Sequence, residues 1–193
     1  ILFRYPSYKH ENGADSFGNH AKSQLLVDSG LFEYFIHPLS FLGLYPGSHN
    51  MGGTSVLSSF SVISSLNIES SIFLLPLFLG IFSALGMFIL AREIVNDDLF
   101  AISASMLYSL SNRVLNYTLW TYSHRGIYIC LLPLFFYFLI KVTRNRSQLS
   151  FFVLLISITI CLASIHRIVY FSIIIFSAVL LAYSTSSFLK RRS

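Results

Sequence analysis

Residues 71–91 run for 21 positions without Asp, Glu, Lys or Arg, residues 147–165 for 19 and residues 168–189 for 22. A helix of about 20 apolar residues is what crosses the hydrocarbon of a bilayer. In that medium the backbone must satisfy its own polar groups, which only helices and closed barrels do. Composition agrees. Charged residues make up 11% of the 193-residue chain and hydrophobic residues 54%, whereas soluble domains carry roughly 25% charged residues. So few charges cannot coat a water-exposed surface, which excludes a soluble enzyme, a disordered regulator and a disulfide scaffold. The expected fold is all-α, a polytopic membrane helix bundle.

The charge pattern divides the chain in two. Residues 1–70 are mixed and polar, and hold four of the six histidines. They are expected to form a large extracytoplasmic loop region with two helices. Residues 71–193 are expected to form the transmembrane bundle, with about five spans near 71–91, 99–120, 126–140, 147–165 and 168–189. Only His166 and Arg167 separate the last two, which implies a tight hairpin, since charge at mid-membrane is costly. Lys141, Arg144 and Arg146 form one basic cluster and Lys190, Arg191 and Arg192 another. Five crossings put both on one side, which the positive-inside bias makes cytoplasmic. Residues 1–70, the 113–125 loop and the His166–Arg167 turn then face the outside. The chain begins at Ile1 and not at Met, which reads as the N-terminal part of a longer protein, a fragment.

Within the loop region, Ala14, Phe17, Ala21 and Leu25 recur at helical spacing and define an apolar face over residues 15–28. Asp15, Asn19 and Lys22 lie on the neighbouring polar face, and Gly30 is a plausible stop. Residues 32–46 read as a loop and residues 54–66 as a second helix. Asp15 also suits a helix cap, His20 a surface or packing position, and Arg113 and Arg125 interface anchors. Asp97 and Asp98 suit the start of a helix, where acids complement the dipole.

No P-loop, dinucleotide-binding glycine motif, nucleophile elbow or zinc-protease motif is present. The N-terminal histidines lack zinc-ligand spacing, Cys130 and Cys161 lie inside apolar runs, and no basic stripe marks a nucleic-acid surface. What remains is an arrangement. An acid opens a helix in the outer region, and Arg113, His124, Arg125, His166 and Arg167 sit at the outer ends of the bundle. A carboxylate there can deprotonate an acceptor, and the cations can hold a lipid-linked phosphate leaving group.

Gly13-Ala14-Asp15-Ser16-Phe17-Gly18-Asn19-His20, followed by a helix to Gly30, resembles the first extracytoplasmic loop of GT-C type integral membrane glycosyltransferases. The run from Tyr45-Pro46-Gly47 through Met51-Gly52-Gly53 to Ile68-Glu69-Ser70, and Ser123-His124-Arg125-Gly126 at the start of a span, resemble that superfamily too. It includes oligosaccharyltransferase catalytic subunits and protein mannosyltransferases. The resemblance implies sugar transfer from a polyprenyl-phosphate donor to a protein or glycan acceptor on the extracytoplasmic side. It implies Asp15 as the catalytic loop acid, and with the cations placed as above Arg125, His124, Arg167, His166 and His20 are the residues expected to bind substrate. Residues 112–125 lack the second acidic motif that oligosaccharyltransferases use with a divalent metal, so no metal or other cofactor is expected. The expected partners are the donor lipid and the bilayer, with no nucleic acid. The rival readings are a transporter or channel subunit, and a non-catalytic membrane scaffold.

Overall fold

In a computed structural model of the chain, residues 10–30, 51–144, 149–166, 168–170, 173–174 and 177 are described. Among the described residues there are seven α-helices and no strand. They are α1 (Ala14–Ser29), α2 (Gly52–Ser64), α3 (Ile68–Val95), α4 (Asp98–Ser109), α5 (Asn112–Thr118), α6 (His124–Arg144) and α7 (Leu149–Ile165).

Local chemistry sets several of these boundaries. Asn67 opens α3 by accepting the Ser70 N–H at 2.8 Å, and Asp97 opens α4 by accepting the Phe100 N–H at 2.8 Å. Each side chain satisfies a donor that the first helical turn leaves orphaned. Gly30 closes α1 with φ 69°, its N–H bonded to Leu26 O. Asn96 closes α3 in the same left-handed conformation, which Asn tolerates better than most residues.

Helix length decides which elements are long enough to cross a bilayer. At about 1.5 Å per residue, α3 is about 42 Å long and α6 about 31 Å, against a hydrocarbon core of about 30 Å. These two are long and apolar enough to span a membrane. Both carry a buried proline, Pro76 in α3 and Pro133 in α6. The shorter α7 is apolar throughout and reaches about 25 Å.

The long helix α3 is the centre of the bundle, packed on α4 and α6, and α6 packs on α7. Small residues let α3 and α6 approach closely. A Cβ added at Gly86 would stand 3.0 Å from Leu134 Cγ, and Gly80 and Ser83 are buried on the same helix. Two hydrogen bonds tie α4 to its neighbours, from Ser105 Oγ to Ala84 O and from Tyr108 OH to Ile129 O, both 2.7 Å. Small residues and hydroxyl-to-carbonyl bonds are how helices associate in lipid. The outward side chains are apolar: Phe78, Phe82 and Leu85 on α3, Leu99 and Leu107 on α4, Phe152 and Ile160 on α7. So broad an exposed apolar belt fits a surface that faces lipid.

The structure differs from the sequence expectations in several places: of the about five spans expected, two among the described residues, α3 and α6, are long and apolar enough to cross a membrane, and the run at 71–91 lengthens into Ile68–Val95. The stretch expected as one span over 99–120 is two helices, broken at Leu110 and Ser111. At about 18 Å, α4 alone is shorter than the hydrocarbon core. The run at 126–140 lengthens at both ends into α6, because the polar residues flanking it remain helical. A further difference is in α1. Its buried residues are Ser16, Asn19 and Ser23, whereas Ala14, Phe17 and Ala21 of the expected apolar face are exposed, Phe17 at 56%. Small polar side chains make the contact with α2: Ser58 Oγ donates to Ser23 O at 3.2 Å and Ser23 Oγ to Thr54 O at 3.4 Å. Of the stretch at 168–189, only 168–170, 173–174 and 177 are among the described residues.

The bundle has two ends of different character. One holds the starts of α3 and α6, the close of α7, and helices α1 and α2. The other holds Arg92, Glu93 and Asp98 with Lys141 and Arg144. There Lys141 Nζ lies 2.6 Å from Glu93 Oε2, and Arg144 Nη1 donates to Glu93 O at 2.6 Å.

Candidate functional site

The segment joining α5 to α6 is the hub of the first end. Three of its residues tie α1 and α2 to the bundle. Trp120 takes φ 39°, a conformation costing an L-residue roughly 1–2 kcal/mol. It is held there by the Asn12 N–H on its carbonyl at 3.2 Å and by an edge-on contact with Phe73, centroids 5.4 Å apart. Tyr122 is buried. Its hydroxyl donates to Gly53 O at 2.5 Å, its N–H donates to Ser16 Oγ at 3.3 Å, and its carbonyl accepts from Asn19 Nδ2 at 3.3 Å. Burial pushes the Tyr122 phenol well above its ordinary value. Ser123 opens α6, its hydroxyl accepting the Arg125 N–H at 3.3 Å and donating to Asp15 Oδ2 at 3.2 Å.

Asp15 is therefore not the cap of α1. That position belongs to Gly13, with φ 94° and no side-chain bond. Asp15 stands in the first turn of α1 and reaches across to the start of α6, so two helix N-termini meet at its exposed carboxylate. Positive dipole ends favour anions. Arg125, two residues after Ser123, is exposed, and among the described residues its guanidinium makes no hydrogen bond or ion pair. His124 packs its ring edge-on against Tyr122, centroids 6.5 Å apart. That ring lies so close to α2 that a side chain at Gly53 would collide with it. A Cβ at Gly52 would likewise meet Ser164 Oγ at 2.5 Å, so the double glycine seats α2 on both α6 and α7. His166 follows α7, its ring 6.4 Å from that of Tyr128 and its Nδ1 accepting the Ile168 N–H at 3.1 Å. Arg167 lies outside the described residues.

A second carboxylate reaches the first turn of α1 at Ser16, the residue after Asp15. Glu11 is buried at 8% exposure. Its Oε2 accepts from Ser16 Oγ at 2.8 Å, and its Oε1 lies 2.5 Å from His20 Nδ1. The pair is reachable from sequence only through the chain reversal at Gly13. Glu11 and His20 are nine residues apart, a spacing that marks no motif. His20, expected to suit a surface or packing position, thus has a carboxylate partner. Further along the same end His10 Nδ1 meets Glu69 Oε1 at 2.9 Å. Among the described residues no three His, Cys, Asp or Glu side chains group to hold a metal ion.

The site thus gathers Asp15, His20, His124 and Arg125 with the newly found Glu11 and Ser123, and places His166 at the close of α7 on the same end. An exposed acid at two helix starts, an exposed guanidinium and a buried acid–imidazole pair can orient a hydroxyl, move a proton and stabilise an anion. No family model, no curated protein and no solved structure matches this chain.

Proposed function

We propose that this chain belongs to a GT-C type membrane glycosyltransferase, which moves a sugar from a polyprenyl-phosphate donor to an acceptor on the extracytoplasmic side. The observation that carries the reading is the meeting of Asp15 with the Ser123–Arg125 start of α6. A carboxylate able to orient or deprotonate an acceptor lies at the end of an apolar bundle, beside a cation able to hold a phosphate. A lipid-linked phosphate is anionic at one end and apolar along its length, and its headgroup sits at that depth.

The reading takes the bundle as multi-pass, with about five crossings. The end bearing Asp15 then faces outward, and the end bearing Lys141 and Arg144 inward, in keeping with the positive-inside bias. The pairing of α4 with α5 serves as one crossing, with α5 packed on α3 and α6. The active species carries Asp15 as the acid at the acceptor and Arg125 at the donor phosphate, with His124, His166 and Arg167 around the headgroup. Transfer needs no metal in this scheme.

The test is turnover in lipid nanodiscs. The chain is given short polyprenyl phosphates carrying radiolabelled mannose or glucose, and label released to water or transferred to a peptide pool is counted. Wild type should turn over, and Asp15→Asn should lose about a hundredfold or more while keeping the wild-type melting temperature. An unchanged rate in a folded Asp15→Asn variant removes the residue from the chemistry. An inactive wild type across donors refutes the reading.

A further inference from the structure

The pair formed by Glu11 and His20 has the geometry of a mounted base. A carboxylate can only accept hydrogen bonds when ionised, and Glu11 already receives Ser16 Oγ on Oε2. Its Oε1 faces His20 Nδ1 at 2.5 Å, so the proton between them belongs to Nδ1 and the imidazole lone pair is left on Nε2. Among the described residues Nε2 has no hydrogen-bond partner. The side chain of Glu11 is 5% exposed and that of His20 31%, so the acid is shut away and the ring keeps an open edge. A buried carboxylate on one imidazole nitrogen, with the other open, fixes the tautomer and supports the cation that forms when the ring takes a proton.

The pair is rigidly mounted. Ser16 and His20 are four residues apart and share a face of α1. Ser16 Oγ also accepts the Tyr122 N–H, and Tyr122 precedes the Ser123 that binds Asp15. The imidazole–acid pair and the exposed acid thus hang on the same two-residue stretch. The charged or titratable groups at this end are Glu11, Asp15, Lys22 and Asp28 around α1, His10 and Glu69 at the start of α3, Arg113 and Tyr117 on α5, Tyr122, His124, Arg125 and Tyr128 at the start of α6, and His166 after α7. None lies on α2.

Resting on the sugar-transfer reading, we propose that His20 Nε2 is the base that takes the acceptor's proton, with Glu11 as its positioning residue. In this step the acceptor oxygen bonds to the anomeric carbon. The bond from that carbon to the phosphate oxygen breaks, and its electron pair leaves with the lipid phosphate. The acceptor's hydroxyl proton passes to Nε2, and is given up afterwards to the lipid phosphate or to water. Asp15 orients the acceptor. Imidazole is the side chain suited to trading protons near neutrality.

The test has one arm independent of turnover. Diethyl pyrocarbonate, which attacks an unprotonated imidazole nitrogen, is applied to the chain in nanodiscs and each of its six histidines is followed by mass spectrometry. His20 should react among the fastest. Glu11→Gln can donate its amide to Nδ1, shift the proton to Nε2, and slow His20 by about tenfold, leaving the other histidines unchanged. A His20 that reacts slowly, or at the same rate in Glu11→Gln, overturns the assignment whatever the enzyme does. The second arm is label release. His20→Ala should lose about a hundredfold or more and regain turnover with added imidazole, whereas a structural role gives no rescue. Full activity in His20→Ala overturns the inference and leaves the transferase reading standing. An inactive wild type overturns the reading, and with it the step given to His20, even where the reagent finds that nitrogen open.

Discussion

Replacing Tyr122 by Phe removes a single oxygen from the point where α1, α2 and α6 are tied together. The hydroxyl is buried and donates to Gly53 O at 2.5 Å, in the first turn of α2. That carbonyl keeps a second donor, the helical N–H four residues on, so the loss is one buried hydrogen bond and not an orphaned acceptor. Such a bond contributes about 1–1.5 kcal/mol net, which raises the open population roughly fivefold to tenfold. The two cysteines supply the assay. Cys130 is buried in the second turn of α6 and Cys161 is exposed. In a Cys161→Ser background, thiol labelling of Cys130 reports opening of this end. Tyr122→Phe should label faster by that factor. The pH dependence gives a second readout. Burial raises the folded-state phenol, so above the ordinary tyrosine value of about 10 the unfolded chain releases this proton first. The folded state then loses stability as pH rises. Phe has no proton to release, so the gap between wild type and variant should close with alkalinity. Equal labelling at neutral pH, or a gap that widens with pH, refutes the anchoring role.

Gly53→Ala drives a methyl into the ring of His124, an overpacking that costs about 1–3 kcal/mol and should show in the same labelling assay. Asn67→Ala removes the side chain that satisfies the Ser70 N–H and should cost about 1 kcal/mol, read as a lower melting temperature with the site chemistry unchanged. Arg125→Ala should raise the donor concentration for half-maximal turnover by about tenfold or more, the worth of one charge-assisted hydrogen bond, with a smaller effect on the maximal rate. A donor requirement that does not move contradicts the phosphate-holding role.

How much the sequence disclosed depends on which signal each element carries. Charge-free runs marked α3, α6 and α7, because length in apolar residues is a strong constraint wherever hydrocarbon is the solvent. The packing face of α1 carried no such signal. Apolar periodicity is a tendency that tertiary contacts between small polar side chains can override. Here the packed face is Ser16, Asn19 and Ser23, and Phe17 points away. The break at Leu110 and Ser111 has no Gly or Pro to announce it, so the 99–120 stretch looked continuous. Asp15 and the Ser123–Arg125 stretch were singled out, one by its position at a helix start and the other by cations beside a span. Their contact depends on a long-range hydrogen bond that no spacing reveals. Glu11 was missed because a buried acid looks like any other acid in the sequence, and its partner His20 comes within reach only after the reversal at Gly13.

The account centres on one claim: the end of the bundle bearing Asp15 and Arg125 receives a lipid-linked phosphate. Photocrosslinking tests it directly. A polyprenyl phosphate with a diazirine next to the phosphate is irradiated with the chain in nanodiscs, and adducts are mapped by peptide mass spectrometry. The account predicts label on the peptides carrying Asp15 and Ser123–Arg125, competed away by unlabelled polyprenyl phosphate and weakened in Arg125→Ala. Label at the Lys141–Arg144 end, or spread along the apolar belt of α3 and α4 and indifferent to competitor, would contradict it.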